Sequence, residues 1–407
     1  MSTGVVLARP TRFRSVEVAI AWFGIAVVLF GAVLWTNHSP ANEMTDFSVT
    51  YIGARIVHEG RGSKLYDIAE QEKIKVSVFT RAQPLIFEHP PFEALLLAPL
   101  GGLHYDTAYF IWGALNVLVW LYLPYLLRPY APWPHSDLTY LVLWLLFPPL
   151  GIALYQGQSS LLLLLVFALA FVRLKQGREF TAGVWLGLGL FKFQFAIPLA
   201  LIFLVRRKWN VIRGFMASAA ALALLSFVAV GWQGLVGYVR LLLDVAGHPH
   251  NLSYGAAKDM ATLQSFSNAV LGGLLTPAAI HFTVAACSVA LILYAARAPL
   301  RTEAAHARFD LFFATSILVA LVTGIHMFAH DLSPLALALF IILPHVATRR
   351  SGAVACACIV LLWIPPIYFL AVARHTLYLF FPLLSLLAFG ISQLRGGTDL
   401  LPGTTTT

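Results

Sequence analysis

Five short stretches of the chain carry side chains able to do chemistry. Asp46 stands in "TDFSVTY", where a carboxylate can take the proton of an attacking hydroxyl. Lys192 stands alone in "GLFKFQF". An ammonium among so many apolar neighbours costs on the order of a few kcal/mol unless it snorkels to water or meets an anion. His330 and Asp331 fall together in "HMFAHDLS", an imidazole suited to a phosphate beside a carboxylate suited to hydroxyls. Gln158 follows Gly157 in "GQSS", where its amide can bind hydroxyls, and His89 precedes Pro90 and Pro91.

Each has a plainer reading. Asp46 and Asp331 can be helix caps, Gln158 can simply open a helix, Lys192 can snorkel to an interface, and His89 can be a loop residue near a site. The position three residues after Asp46 is Val49, so no capping box supports the capping role there. His248 and His250, written "HPH", have no carboxylate or cysteine at ligand spacing beside them and read as a solvated loop. His38 and His326 follow no interpretable pattern. No metal site and no cofactor is expected, and the residues leave the need for a divalent metal open.

The elements that must position these residues are apolar. Hydrophobic residues make up 59% of the sequence against 11% charged, mean hydropathy is +0.79, and long Leu, Ala and Val runs carry 29 Phe and 10 Trp. No soluble core of this length requires that composition, so the expected class is an all-α polytopic membrane protein. The net charge of +9 is spread along the chain rather than gathered in one basic stripe, which argues against nucleic acid as a partner. Cys287, Cys356 and Cys358 all lie in apolar runs and read as packing residues, not a disulfide framework. The first run, 16–35, has the length of a retained membrane helix rather than a cleaved leader.

Topology follows from Lys and Arg. Basic clusters stand at Arg9/Arg12/Arg14, Arg128, Arg173/Lys175/Arg178, Arg206/Arg207/Lys208/Arg213, Arg297/Arg301/Arg308, Arg349/Arg350 and Arg395. Placing them in the cytoplasm predicts about twelve spans of roughly 20 residues, with both termini cytoplasmic. The spans are 16–36, 106–127, 138–154, 159–173, a broken pair within 181–205, 211–231, 277–296, 309–326, 332–347, 352–371 and 375–394. The whole of 1–407 is then one integral-membrane domain with two large extracytoplasmic loops, 37–105 and 232–275. A bacterial plasma membrane is the expected home.

Two regions of this map carry the candidate residues. The segment 181–205 begins and ends beside basic residues yet is too short for two full crossings, so it must be a bent or re-entrant hairpin with Lys192 near its middle. Gly183, Gly187 and Gly189 before the bend and Pro198 after it fit a broken helix. The loop 37–105 holds eight of the 18 acidic residues. In it, Thr45 or Asp46 can start a helix that runs to His58 and stops at Gly60. Asp67 and Glu70 fit a capping box for a second helix through Phe79. Both read as short amphipathic helices lying on the membrane surface.

Several motifs then recur in a telling order. Asp46-Phe47 after the first span is followed by Tyr51, Ala54, Gly60 and Leu65-Tyr66. Next come "FEHPPFEALLLAPLGGL", "GQSSLLLLL", "GLGLFKFQFAIPLALIFLVRRKW" and "HMFAHDLSPLALAL". Taken together over roughly residues 40–345, the set resembles glycosyltransferase family 87, in the C-type superfamily of polyprenyl-phosphate-sugar-dependent membrane transferases. His89 stands where that family more often has Tyr, and Ser160 where Asn is usual.

The resemblance implies a C-type architecture and inverting transfer of a hexose, mannose foremost. The donor is a polyprenyl phosphate, the acceptor a hydroxyl of a glycolipid or glycan, and the place the outer face of the membrane. Asp46 occupies the position of the base, and Lys192 that of the partner of the donor phosphate, with Arg55 and His330 as helpers. Tyr51, Tyr66, His89, Gln158 and Asp331 are the implied substrate contacts. Phosphate is already a good leaving group, so the second carboxylate of hydrolytic glycosidases is unnecessary. The rival class is a multi-span transporter or lipid flippase, in which Lys192 is a substrate counter-ion and the first loop a gate. Against it, the interior of most helices is uncharged, polar residues collect on one side, and no internal repeat is evident.

Overall fold

The computed structural model describes residues 16–81, 85–131, 136–247, 260–297, 305–347, 353–373 and 377–395. His248, His250 and the basic residues Arg9, Arg12, Arg14, Arg301, Arg349 and Arg350 lie outside the described residues. Among the described residues helices alternate with short turns and no strand occurs. The apolar first run forms α1 (Val16–Asn37), and three short helices fill the first loop: α2 (Phe47–His58), α3 (Ile68–Val78) and α4 (Pro91–Gly101). From them α5 (Tyr105–Leu127) runs about 35 Å away. The return path is α6 (Asp137–Leu145) and α7 (Pro148–Gln156), bent by 48° where Pro148 and Pro149 open α7. There follow α8 (Ser160–Lys175), α9 (Glu179–Leu188), α10 (Phe193–Val205), α11 (Trp209–Gly247), α12 (Leu263–Leu271) and α13 (Pro277–Ala296). The chain continues as α14 (Ala305–Val322), α15 (Leu335–Ala347), α16 (Ala353–Leu362), α17 (Pro366–Ala373) and α18 (Leu377–Arg395).

Six stretches are long and apolar enough to cross a membrane: Val16–Asn37, Tyr105–Tyr130, Glu179–Val205, Trp209–Asp244, Pro277–Ala296 and Leu377–Leu394. The bent pair of α6 and α7 makes a seventh. The chain is therefore a multi-pass membrane protein. Twelve crossings are not reached by length alone, because α8, α10, α15 and α16 have only 16, 13, 13 and 10 residues.

The stretch Glu179–Val205 doubles back, as its flanking charges predict. Extended as one straight helix, its ends would lie about 40 Å apart. Instead Lys208 Nζ sits 2.7 Å from Glu179 Oε1, and the Val211 carbonyl packs directly on Gly183. The turn is a tight helical coil at Gly189–Lys192, and Lys192 itself leaves helical geometry at φ −120°, ψ 64°. The glycines act differently from the expectation that they make the bend. A Cβ on Gly183 would stand 1.9 Å from the Val211 carbonyl oxygen, and one on Gly187 2.7 Å from that of Phe215. On the facing helix, a Cβ on Gly214 would stand 2.0 Å from the Phe180 oxygen. These small residues let the backbones of α9 and α11 touch, as close helix pairs in membranes do.

The bundle has two chemically distinct ends. At one, Arg128 pairs with Asp137, Lys175 with Asp310 at 2.6 Å, Lys208 with Glu179, and Arg206 donates to the Ala296 carbonyl. From Lys175, α8 spans about 24 Å to Ser160 at the other end, where Lys192 also lies. The first-loop helices cover that second end. Gly60, at φ +72°, terminates α2 as expected, and Asp67 Oδ1 accepts the Ala69 N–H at 3.0 Å to cap α3.

Three expectations need correction. Glu70 does not complete a capping box; it pairs with Arg61. Nor does α2 lie on a surface: nearly every side chain from Phe47 to Ile56 is buried. Gly53 and Gly101 are the reason, since a Cβ on Gly53 would collide with the Phe87 ring and one on Gly101 with the Ala54 backbone, so α2, α4 and the segment before α4 close tightly together. Finally, helix persists beyond 231. Gly231 breaks α11 at φ 63°, ψ −172°, after which it resumes to Gly247 inside the expected loop 232–275.

Candidate active site

Asp46 stands at the start of α2 without capping it. Its backbone is helical (φ −64°, ψ −21°) and its carboxylate accepts no hydrogen bond from the first turn. The carboxylate points instead toward the turn after α7. Gly157 ends that helix at φ +62°, and its carbonyl accepts the Trp112 indole N–H at 2.7 Å. Phe47 stacks on Trp112 at 6.2 Å, and a Cβ on Gly157 would stand 2.6 Å from the Phe47 Cβ. Only glycine both adopts that conformation and admits Phe47, which brings the next residue, Gln158, beside Asp46. Gln158 Nε2 donates to Asp46 Oδ2 at 2.7 Å, and the Asp46 backbone N–H donates to Gln156 Oε1 at 3.3 Å.

From Gln158 a polar circuit closes on itself. Lys192 Nζ donates to Gln158 Oε1 at 3.2 Å and to Asp331 Oδ1 at 2.5 Å. Ser160 Oγ also donates to Asp331 Oδ1, at 3.2 Å, and the Phe328 N–H donates to Asp331 Oδ2 at 3.0 Å. His330 spans the remaining gap, with Nε2 3.4 Å from Asp331 Oδ2 and Nδ1 3.8 Å from Asp46 Oδ2. Side-chain exposure is 1% for Asp331, 6% for Lys192 and 7% for His330, against 19% for Asp46, so Asp46 is the member a substrate reaches first.

Burial and charge set the protonation of this circuit. Burial alone would push the Asp331 carboxyl up, but Lys192, helped by His330 and His326, holds it well below the usual carboxylate range. For His330 burial prevails over the carboxylates of Asp331 and Asp46 and pulls the imidazole below its ordinary value, so it is neutral near pH 7. Lys192 is thus not snorkelling. It is a buried cation with a buried counter-ion, and two of its three N–H donors are engaged.

The other expected residues separate into two groups. Each Asp331 oxygen already has two polar neighbours, so Asp331 sits as counter-ion to Lys192, and it does not cap α15, which begins only at Leu335. Tyr51 donates to the Leu103 carbonyl at 2.7 Å and packs among Phe79 and Tyr105. Arg55 is taken up by Tyr51 and Glu59, nine residues and about 13 Å along α2 from Asp46. Neither joins the circuit. Tyr66 donates to the His89 carbonyl at 2.7 Å, and the His89 ring pairs with Glu93 at 2.8 Å. Sequence reasoning missed Gln156 and Glu93, and met Ser160 only as a departure from the family pattern. "YQGQSS" does place amides on both sides of a turn glycine, and His89 and Glu93 have the i, i+4 spacing of neighbours on a helix.

Among the described residues, no group of three His, Cys, Asp or Glu could hold a metal ion. The three cysteines are free, Cys287 and Cys356 exposed and Cys358 buried. The sequence model of glycosyltransferase family 87 matches residues 87–324, more than half of the chain, a stretch that contains His89, Gln158 and Lys192. No curated protein matches the chain.

Proposed function

The chain belongs to glycosyltransferase family 87 and is a membrane glycosyltransferase; from that premise we propose that it transfers a hexose from a polyprenyl-phosphate donor to a hydroxyl of a glycolipid or glycan, with inversion. Mannose is the first sugar to test. The observation that carries this reading is the bridge from Asp46 through Gln158 to Lys192, which joins a partly open carboxylate to a buried ammonium. In the proposed step the acceptor oxygen attacks the anomeric carbon while its proton passes to Asp46, a contribution of about 10²- to 10⁴-fold for a positioned base. The bond from that carbon to the phosphate oxygen breaks on the opposite face, and its electron pair stays with the phosphate. The donor diester becomes a monoester, so charge grows as the bond opens. In this reading the third N–H of Lys192 stabilises that growing charge more in the transition state than in the ground state.

Asp331 holds the ammonium in place, and neutral His330 closes the space between the two carboxylates. In this reading 1–407 is one domain, the end rich in Arg128, Lys175, Arg206 and Lys208 faces the cytoplasm of a bacterial cell, and the Asp46 end faces outward. Twelve crossings of C-type architecture are supported by the alternation of α1, α5, α6–α7, α8, α9, α10, α11, α13, α14, α15, α16–α17 and α18.

The test is transfer of labelled mannose from a polyprenyl-phosphate donor by the purified protein in lipid nanodiscs. Wild type should consume the donor and Asp46→Asn should do so at least about 100-fold more slowly. Near-normal turnover by Asp46→Asn would overturn the assignment of the base.

A further inference from the structure

The circuit around Asp46 contains two carboxylates and one ammonium, so it offers little net positive charge to a leaving group that gains negative charge. A second basic side chain lies outside it, the imidazole of His89 paired with Glu93. The charge of Lys192 is felt at three imidazoles, those of His89, His326 and His330. Burial pulls His330 down and drives His326 down to about 4, so both are neutral. At His89 burial acts in the same sense, but the carboxylate of Glu93 outweighs it, and the imidazole is raised above its ordinary value.

The residues around His89 hold that ring in one place. Glu93, buried in the first turn of α4, lies 2.8 Å from Nδ1. The ring stacks on Phe87 at 5.5 Å. Gln71, itself buried, clamps Phe87 on both sides, accepting its N–H at 2.6 Å and donating to its carbonyl at 3.0 Å. Tyr66 anchors the His89 carbonyl, and Pro90 and Pro91 set the backbone that follows. Among the described residues nothing hydrogen-bonds Nε2, and the side chain is 24% exposed. With Nδ1–H held by Glu93, protonation of the ring places its second N–H on Nε2, the nitrogen that Glu93 does not occupy.

We propose that His89, held by Glu93, presents its Nε2–H as a second cationic contact to the donor phosphate, alongside Lys192. Glu93 is the positioning residue and His89 the phosphate contact. This rests on the polyprenyl-phosphate reading above. The titratable groups whose charge bears on His89 are Glu93 and Glu88 on its own segment and Lys192 beyond it, with His330 and His326 neutral. The phenols of Tyr66 and Tyr238 on the remaining side are pushed further up by burial and stay neutral.

The probe is a polyprenyl methyl phosphodiester, whose single charge is constant across the range scanned, with the parent polyprenol as control. Binding to the full-length protein in nanodiscs is measured from about pH 6 to about pH 9, alongside sugar transfer. Wild type should bind the diester more weakly as pH rises through the raised His89 value, while polyprenol shows no trend. Glu93→Gln should move that loss to lower pH. His89→Gln should weaken binding at low pH by about tenfold and flatten the profile. His89→Tyr, which donates without titrating near neutrality, should be flat at intermediate affinity and decides the matter if Glu93→Gln does not fold. A wild type that binds the diester with no pH trend, or a Glu93→Gln profile superimposed on wild type, overturns the inference alone. Failure of wild type to bind the diester at all overturns the donor reading as well.

Discussion

Lys192 and Asp331 are 139 residues apart in sequence and 2.5 Å apart in space, both nearly sealed from solvent. Such a pair is weak as a source of net stability, because desolvating both ions offsets their attraction, but removing one member strands the other. Lys192→Met and Asp331→Asn should each lower stability by about 3–5 kcal/mol, and the double variant should recover part of the loss. Unfolding of the four proteins in one detergent closes the cycle; additive losses would mean that the pair is not coupled.

Asp46 and Asp67 should respond in opposite ways although both stand at helix starts. Asp46 caps nothing, so Asp46→Asn should leave the unfolding temperature unchanged while turnover falls about 10²- to 10⁴-fold. Asp67 accepts the Ala69 N–H, so Asp67→Ala should cost about 1 kcal/mol of stability and leave transfer intact. Paired melting and transfer assays separate the two roles.

Among the described residues, Gln158 alone hydrogen-bonds both Asp46 and Lys192. Hydrogen bonds to charged groups contribute about 1.5–3 kcal/mol each, so Gln158→Leu should lower kcat by at least about tenfold. A loss confined to KM would assign Gln158 to substrate binding alone.

The close approach of α9 and α11 makes a steric prediction. A methyl group at Gly183 meets the Val211 carbonyl oxygen, a backbone atom that cannot swing away. Gly183→Ala should therefore destabilise the protein by about 1–3 kcal/mol and disturb the Lys192 turn. Gly24 on α1 has open space around it, and Gly24→Ala should raise stability by about 0.5–1 kcal/mol. Equal behaviour of the two would contradict the packing described.

Stability should fall on mild acidification. His326 and His330 are held neutral, with folded values below the 6.5 of an unfolded histidine. Their contribution is complete above about pH 6.5 and is lost as pH falls toward the folded values, about 4 for His326. His89 has the opposite sign: its contribution is complete below about pH 6.5 and is lost as pH rises through its raised value. Denaturation midpoints from pH 8 downward should show the acid loss, and His326→Asn should flatten it.

Local chemistry was legible where it is carried by neighbours in sequence. The Gly60 stop, the Asp67 cap and the reversal near Lys192 all follow from spacing, charge and backbone preference within a few residues. The burial of α2 was not legible, because its apolar stripe is equally suited to a membrane surface and to a protein groove. What settles it is the pair Gly53 and Gly101, whose close approach depends on a partner elsewhere in the chain. Arg55 and His89 show the same limit: each is a basic side chain in the first loop, but one is absorbed by Tyr51 and Glu59 while the other keeps an open nitrogen.

By itself, then, the sequence determined a helical, membrane-embedded chain, two of the three helices of its first loop, and the small set of ionisable residues that apolar surroundings make conspicuous. Only the tertiary structure decided which of them meet. Gln158 reaches Asp46 across 112 positions and Asp331 reaches Lys192 across 139, and no local pattern encodes such pairings. They arise because a bundle buries its polar groups only where each finds a partner, and that partner is chosen by how the helices stack.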